Sequence, residues 1–481
     1  MRSPEEQKRR HRNERILAAV LVVLLGAATA IFVRESRRAD EEFRRQTTYI
    51  PKETPITPDV KLLQEYIRFD TSNPPGRELP AAQWLAGLIR RAGIPVEVIE
   101  SAPGRGNVYA RIKGKRDGGG LLLLHHIDVV PANADSWKHP PFAAEIRLDQ
   151  LYGRGAVDMK GAGIVFLRTF LDIAAAGQQP EHDLVFLAVA DEETGSRWGM
   201  EWLVNNRPDV LDGVRYALNE GGITEMMGER VTYFGIEIGT KVQVALQLVA
   251  PTREQLQRVR IALEPYFTPD REPGRVLPEV RDFFRDVAPQ RIEFADDLAD
   301  IDRTIASGKF WDLPIGYREL TQNNVFAQGI VARQGGGFQM RTLLMNLPDE
   351  NPDERIAWLA EKVRPFGARI GEVERKEGPV PMASSKTPFY ELLKDEASRT
   401  FSCRAGTEVL NRSWNDSRFL RHRGIDSYGI NPFPIDFFQA EAIHGVDERI
   451  RLDYFVRGIG FTGGVVRRYL MGGDRNRQVG G

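Results

Sequence analysis

At 481 residues the chain is too long for one compact core, so two domains with appendages is the starting expectation. Hydrophobic residues at 42% and charged residues at 28% are ordinary for a folded globular protein. A formal net charge of -1, with basic and acidic side chains interleaved along the body, supplies no field for nucleic acid, and no nucleic-acid partner is expected. The single cysteine, Cys403, excludes an intrachain disulfide and has no neighbouring base to activate it, so it is expected to be a buried, inert thiol.

Residues 1–15 are polar and basic (Lys8, Arg9, Arg10, Arg12, Arg15). Residues 16–33, ILAAVLVVLLGAATAIFV, carry no charge and span about 27 Å as a helix, near the thin end of a bilayer's hydrocarbon core. A retained transmembrane signal anchor is favoured, because the apolar run continues through Ile31, Phe32 and Val33. Cleavage after the small-residue site Ala28-Thr29-Ala30 is the competing reading and would place the body outside the cytoplasm; the anchor is taken in the same orientation, although Arg34, Arg37, Arg38, Arg44 and Arg45 balance the basic residues on its other side. Residues 34–57 read as a charged, then Pro-containing, juxtamembrane stalk.

From residue 58 a helical pattern leads to the Pro/Gly break in TSNPPGRE, and a second amphipathic helix covers 81–92. Residues 96–99, 107–112, 121–126 and 184–190 read as strands and 161–176 as a helix, the alternation of an α/β sheet covered on both faces. Past Gly222 the texture turns α+β: strands at 233–238, 241–250 and 338–347, helices at 254–263 and 353–363, and a Pro- and charge-rich stretch at 268–315. The α/β texture resumes at 388–400 and runs to a last helix at 454–469. The chain therefore divides into a catalytic domain at 58–230 and 373–472, an inserted domain at 231–372, and a tail at 473–481.

Five short segments carry the chemistry. In LLLLHHIDVVP a buried strand ends in His126 and Asp128, which share a face while His125 points to the other. A histidine with a carboxylate two residues on suits a metal ligand whose second ring nitrogen is held by an acid. LYGRGAVDMKG leaves Asp158 on a tight turn, where a carboxylate can bridge two cations. DLVFLAVADEETGS ends a strand in Asp191, Glu192 and Glu193, a crowding of acids that is costly without a cation. ALNEGG and AIHGVDERI add Glu220 and His444, each an ordinary loop residue when taken alone. Two histidines and three carboxylates suit a zinc pair, which polarises a carbonyl and generates a nucleophile near neutral pH. One of the paired glutamates can serve as general base.

These motifs, TSNPPGRE (71–78), HIDVVP (126–131), W..PPF (137–142), YGRGAVDMKG (152–161), ADEETGS (190–196), NEGG (219–222) and IHGVDERI (443–450), resemble the zinc exopeptidase family of carboxypeptidase S, aminoacylase, glutamate carboxypeptidase, acetylornithine deacetylase and succinyl-diaminopimelate desuccinylase. The resemblance implies a three-layer α/β/α catalytic domain with an inserted α+β lid. It implies His126 and Glu220 on one zinc, Glu193 and His444 on the other, Asp158 bridging, Glu192 as general base, Asp128 orienting His126, and a cis Asp158–Met159 peptide. Two Zn2+ ions are expected, with Co2+ or Mn2+ as substitutes, acting on a small peptide or N-acyl amino acid; a homodimer through the lid is compatible with the family pattern.

The lid departs from that pattern. No histidine lies between His182 and His422, so the family's GHSS-like histidine is missing from QLVAPTREQL, and Met345 stands near the place of a family arginine. Losing one oxyanion donor costs about 10²–10³ in rate when nothing replaces it. Lys241 and Arg253 are the candidate replacements for that donor, Arg341 or Arg333 for the family arginine, and a catalytically impaired or non-enzymatic metal-binding protein is the alternative.

Overall fold

The computed structural model describes residues 53–222, 224–266, 274–408 and 414–472. The expected anchor at 16–33 and the tail at 473–481 lie outside the described residues. Among the described residues no helix is long and apolar enough to cross a membrane.

Sixteen strands occur among the described residues: β1 (Val96–Ala102), β2 (Arg105–Ile112), β3 (Gly120–His126), β4 (Glu145–Arg147), β5 (Gln150–Tyr152), β6 (Leu184–Val189), β7 (Val214–Asn219), β8 (Thr224–Met227), β9 (Arg230–Glu237), β10 (Val242–Ala250), β11 (Asn324–Ala332), β12 (Phe338–Asn346), β13 (Arg369–Lys376), β14 (Arg404–Glu408), β15 (Asp426–Gly429) and β16 (Arg449–Arg451). The main sheet runs β1-β2-β6-β3-β7-β15-β9-β14, with β8 beside β9. At its centre β6, β3, β7 and β15 are mutually parallel. That is why GLLLLHH and LVFLAV are buried at every position: both faces of a central parallel strand are covered.

Side-chain alternation sorts the two faces. Leu121 and Leu123 join a core with the helices Leu79–Arg91, Lys160–Ala175, Pro388–Phe401 and Leu452–Leu470. Leu122 and Leu124 join a second core with the helices Met200–Asn206 and Ser417–Arg421. The three-layer α/β/α expectation is met.

A four-stranded antiparallel sheet, β11-β12-β10-β13, forms the lid, covered by the helices Arg253–Leu263 and Pro352–Val363. Its limits differ from the expected 231–372. β9 belongs to the main sheet through its pairing with β14 and β15, and the fourth lid strand runs to Lys376. Alternating apolar residues read alike in either sheet, so texture alone could not place the boundary. The segment between β10 and β11 also departs from expectation. Val280, Phe283, Phe284, Val287, Phe310 and Leu313 are buried in the catalytic core, not in the lid core.

Candidate metal centre

Parallel pairing fixes what stands side by side. His126 is in register with Val189 across β3 and β6, so the segments that follow β3, β6 and β7 leave the sheet at one edge. In open α/β sheets that carboxyl edge is where ligands bind. His126 Nε2 lies 3.1 Å from Asp158 Oδ1 and 3.8 Å from Glu220 Oε2. His444 Nε2 lies 2.9 Å from Asp158 Oδ2 and 3.3 Å from Glu193 Oε2. All five expected ligands therefore meet, as two groups that could each hold an ion and that share Asp158.

The turn carrying Asp158 is held from far downstream. Glu448, fully buried, accepts the backbone N–H of Gly155 (3.0 Å), Val157 (2.8 Å) and Asp158 (3.1 Å), and pairs with Arg154 at 2.6 Å. The Asp158–Met159 peptide is cis, as the resemblance implies. Glu448 was not singled out in the sequence, although IHGVDERI contains it; nothing local distinguishes a loop glutamate that answers distant backbone donors.

Asp128 approaches His126 through both its backbone and its carboxylate. His126 Nδ1 lies 2.8 Å from the Asp128 carbonyl oxygen, whereas the nearer Asp128 carboxylate oxygen is 3.7 Å away. The carboxylate also accepts the backbone N–H of Glu192 (3.0 Å) and Glu193 (3.1 Å) and the Asn73 amide (2.8 Å). It pins the turn that carries both glutamates. Asp191, left-handed at φ 70, is tied by Arg105 at 2.6 Å and Asn73 at 3.0 Å. His125 points away from the edge, 3.2 Å from the Tyr66 hydroxyl, and burial pulls its ring down to about 3, so it stays neutral. Gly163 makes room for it: a Cβ there would lie 2.5 Å from His125 Cδ2.

The electrostatics are those of anions crowded in a dry place. Burial raises Glu192 well above the ordinary carboxylate range, with Glu220 adding to it. Burial also raises Glu193, and burial together with Asp158 pushes Glu220 up to about 8. Against the upward push of burial, hydrogen bonds from His126 and His444 hold Asp158 below its usual value. Hydrogen bonds to Asp158 and Glu193 push His444 up to about 10. Glu192 Oε1 and Glu193 Oε1 are buried with no partner. Unsatisfied buried oxygens beside nitrogen and oxygen donors of this type fit divalent cations of zinc's borderline softness.

None of the lid candidates named from the sequence faces this centre. Lys241 is buried, donating to the Gln322 carbonyl (2.7 Å) and Asn324 Oδ1 (2.6 Å). Arg253 donates to the Ile330 carbonyl at 3.1 Å, Arg341 pairs with Glu374 at 2.6 Å, and Arg333 lies in the β11–β12 turn. A lid cation that does come near is Arg375, on β13, whose Nη2 lies 3.5 Å from the carbonyl oxygen of Thr194, next to Glu193, and whose guanidinium is 3.9 Å from the Trp414 ring centre. The only sequence signal for it would have been that β13 leads back into the catalytic domain. Cys403 is half-buried rather than buried as expected, and burial pushes its thiol up to about 11.

Comparison with known proteins agrees with this geometry. Aminoacylase-1 of Dictyostelium discoideum is 25% identical over 422 residues, covering 85% of this chain and 96% of that protein. Succinyl-diaminopimelate desuccinylase of Methylobacterium sp. (strain 4-46) is 42% identical over 147 residues, covering 29% of this chain; the chain spans only 36% of that relative. An M20 family metallo-carboxypeptidase from Sulfolobus solfataricus superimposes with a TM-score of 0.66 at 17% identity, covering 86% of this chain and 99% of that one, a likeness of fold. The family model for peptidase family M20/M25/M40 matches residues 122–468, and the chain belongs to that family as a metal-dependent hydrolase.

Proposed function

We propose that this chain hydrolyses the amide bond of N-acyl amino acids or small peptides with two zinc ions, and that Glu192 is its general base. The observation that supports this most directly is the shared carboxylate: Asp158 Oδ1 faces His126 at 3.1 Å while Oδ2 faces His444 at 2.9 Å, so one aspartate serves two ligand groups. His126 and Glu220 would hold one ion, and Glu193 and His444 the other. When bound, such a pair supplies Lewis-acid polarisation of the scissile carbonyl and acidifies water. Glu192 takes a proton at its carboxylate and returns it to the departing amine. Its raised pKa, caused first by burial, suits a group that must hold the proton between those two steps. The Asp128 carboxylate positions that glutamate through the Glu192 backbone N–H. Coverage by aminoacylase-1 over nearly its whole length favours acylated amino acids within this class.

The apolar run at 16–33 completes the proposal as a membrane anchor holding the body outside the cytoplasm. The test is hydrolysis of dipeptide and N-acyl-amino-acid panels with zinc, cobalt or manganese, beside Glu192→Ala. Turnover in the wild type and a loss of about 10²–10⁴-fold in the variant, with two metals retained, is expected. Two bound metals with no substrate turned over would leave the impaired-enzyme alternative standing.

A further inference from the structure

The segment TSNPPGRE holds none of the five ligands, yet it closes around one buried guanidinium. Thr71 Oγ1 donates to the Ile127 carbonyl at 2.8 Å, and the Asn73 N–H donates to the Val129 carbonyl at 2.9 Å. The segment is thus fastened to the chain that leaves β3 just past His126. Arg105, at the start of β2, meets it. Arg105 Nη1 donates to the Pro75 carbonyl at 3.1 Å, and Nη2 lies 3.0 Å from Glu78 Oε1. Gly76 makes the space: it has φ +77, and a Cβ there would lie 1.9 Å from Arg105 Nη1. The same Nη2 then donates to Asp191 Oδ1 at 2.6 Å, on the turn that follows β6.

Asp191 is where that turn begins. Its φ of 70 is one that a non-glycine residue keeps only where its surroundings over-determine it. Besides Arg105, Oδ1 accepts the Asn73 amide (3.0 Å) and the Thr194 hydroxyl (2.6 Å), and Oδ2 accepts the Trp198 N–H (3.0 Å). Of these donors only Arg105 is charged, and a charge-assisted hydrogen bond is about twice as strong as a neutral one. Glu78 and Asp191 are both buried, and among the described residues Arg105 is the one cation within ion-pair distance of either.

Glu192 and Glu193 follow Asp191 directly, whereas His126 arrives on a different strand. Their relative placement therefore depends on what ties the two strand ends together, and an error of about 1 Å can cost about 10² in rate. The Asp128 carboxylate holds the Glu192 and Glu193 backbone N–H groups, and Arg105 holds the residue before them. Asn73 joins both holds, since its amide donates to Asp128 Oδ2 and to Asp191 Oδ1.

We propose that Arg105 is a positioning residue, which clamps Asp191 to the TSNPPGRE segment and so sets Glu192 and Glu193 in register with His126. The assignment rests on the roles proposed above for the two glutamates and deepens them.

The test uses the full-length chain with Arg105→Met, Arg105→Lys and Asp191→Asn, the last because asparagine tolerates the left-handed conformation. In the metal-free protein, deuterium exchange of the peptide spanning 190–199 should quicken about 10-fold in Arg105→Met, while the β3 peptide exchanges as in the wild type. Zinc titration should show the weaker of two ions bound about 10- to 100-fold less tightly. With zinc saturating, kcat for N-acetyl amino acids should fall about 10- to 100-fold while KM stays within about threefold. Arg105→Lys should recover part of each loss. Arg105→Met combined with Asp191→Asn should lose little more zinc affinity than the worse single variant, because both cut one joint. If Arg105→Met does not fold, Arg105→Lys and Asp191→Asn carry the same comparisons. The assignment is overturned if the turn exchanges and binds zinc as in the wild type, if exchange quickens uniformly over the molecule, if the two losses add, or if only KM moves. A chain that turns over no substrate while exchange and zinc affinity follow these expectations would instead count against the catalytic reading and leave the clamp in place.

Discussion

The carboxylate of Glu448 accepts the backbone N–H of Asp158 at 3.1 Å, joining the turn that carries the shared ligand to the loop that carries His444. Glu448 touches no proposed metal ligand's side chain; it fixes where Asp158 sits and neutralises buried Arg154. Glu448→Gln should weaken metal binding by about 10- to 100-fold, the range for outer-sphere partners, as read by metal titration. Glu448→Ala should also lower stability by about 3–5 kcal/mol in denaturant unfolding, because it strands a buried guanidinium. Metal affinity matching the wild type in both variants would remove the role.

Asp158 belongs to both ligand groups, whereas each histidine belongs to one. Metal analysis of purified variants should find about one ion per chain in His126→Ala and in His444→Ala, and close to none in Asp158→Asn. Two ions retained in Asp158→Asn would show that the ligand groups are independent.

Protons and metals compete for the same atoms. With Glu220 pushed up to about 8 and His444 to about 10, the metal-free site holds protons that an ion must displace. Metal affinity should therefore rise between about pH 6 and pH 8, with protons released on binding in calorimetry. The stability of the chelated protein should move oppositely. A group whose folded pKa is raised stabilises the fold while protonated and loses that contribution as pH climbs through the folded value, so the Tm of the metal-free chain should fall between about pH 5 and pH 9. Metal loading should flatten that decline. A metal-free Tm that rises across the same window would contradict the stated origin of the shifts.

Lys241 is a structural cation rather than an oxyanion donor, since its ammonium is used up inside the protein by Gln322 and Asn324. Lys241→Met should cost about 1–3 kcal/mol in unfolding experiments and change kcat by less than about threefold. A kcat loss of 10²-fold without loss of stability would return it to the active site.

The residues proposed as ligands could be picked out in the sequence because each ends an apolar run or sits near glycines. The C-terminal edge of a parallel sheet then gathers such ends whatever their separation along the chain, as it does for His126, Glu193 and Glu220. What escaped was whatever depends on a partner without a sequence pattern. Glu448 and Arg375 are unremarkable charges until the fold sets one against three backbone donors and the other against Trp414. The second role of the Asp128 carboxylate escaped for a related reason: a two-residue spacing puts it on the face of His126, 3.7 Å from the ring, but does not show that it also accepts the backbone N–H groups of Glu192 and Glu193. The lid boundary escaped because strand pairing, not strand character, decides which sheet owns β9 and β13.

The helical segment between β10 and β11 has a mechanical consequence. Because the apolar side chains of its later helices, Val280, Phe283, Phe284 and Val287 among them, lie in the catalytic core while the helix Arg253–Leu263 and the strands on either side lie in the lid, the chain passes between the two bodies four times rather than twice. Lys241 links the first of these passages to the third. A lid on two connections is joined to its base like a door on one hinge pin; here the helices set into the catalytic core give the lid sheet a further attachment between β10 and β11.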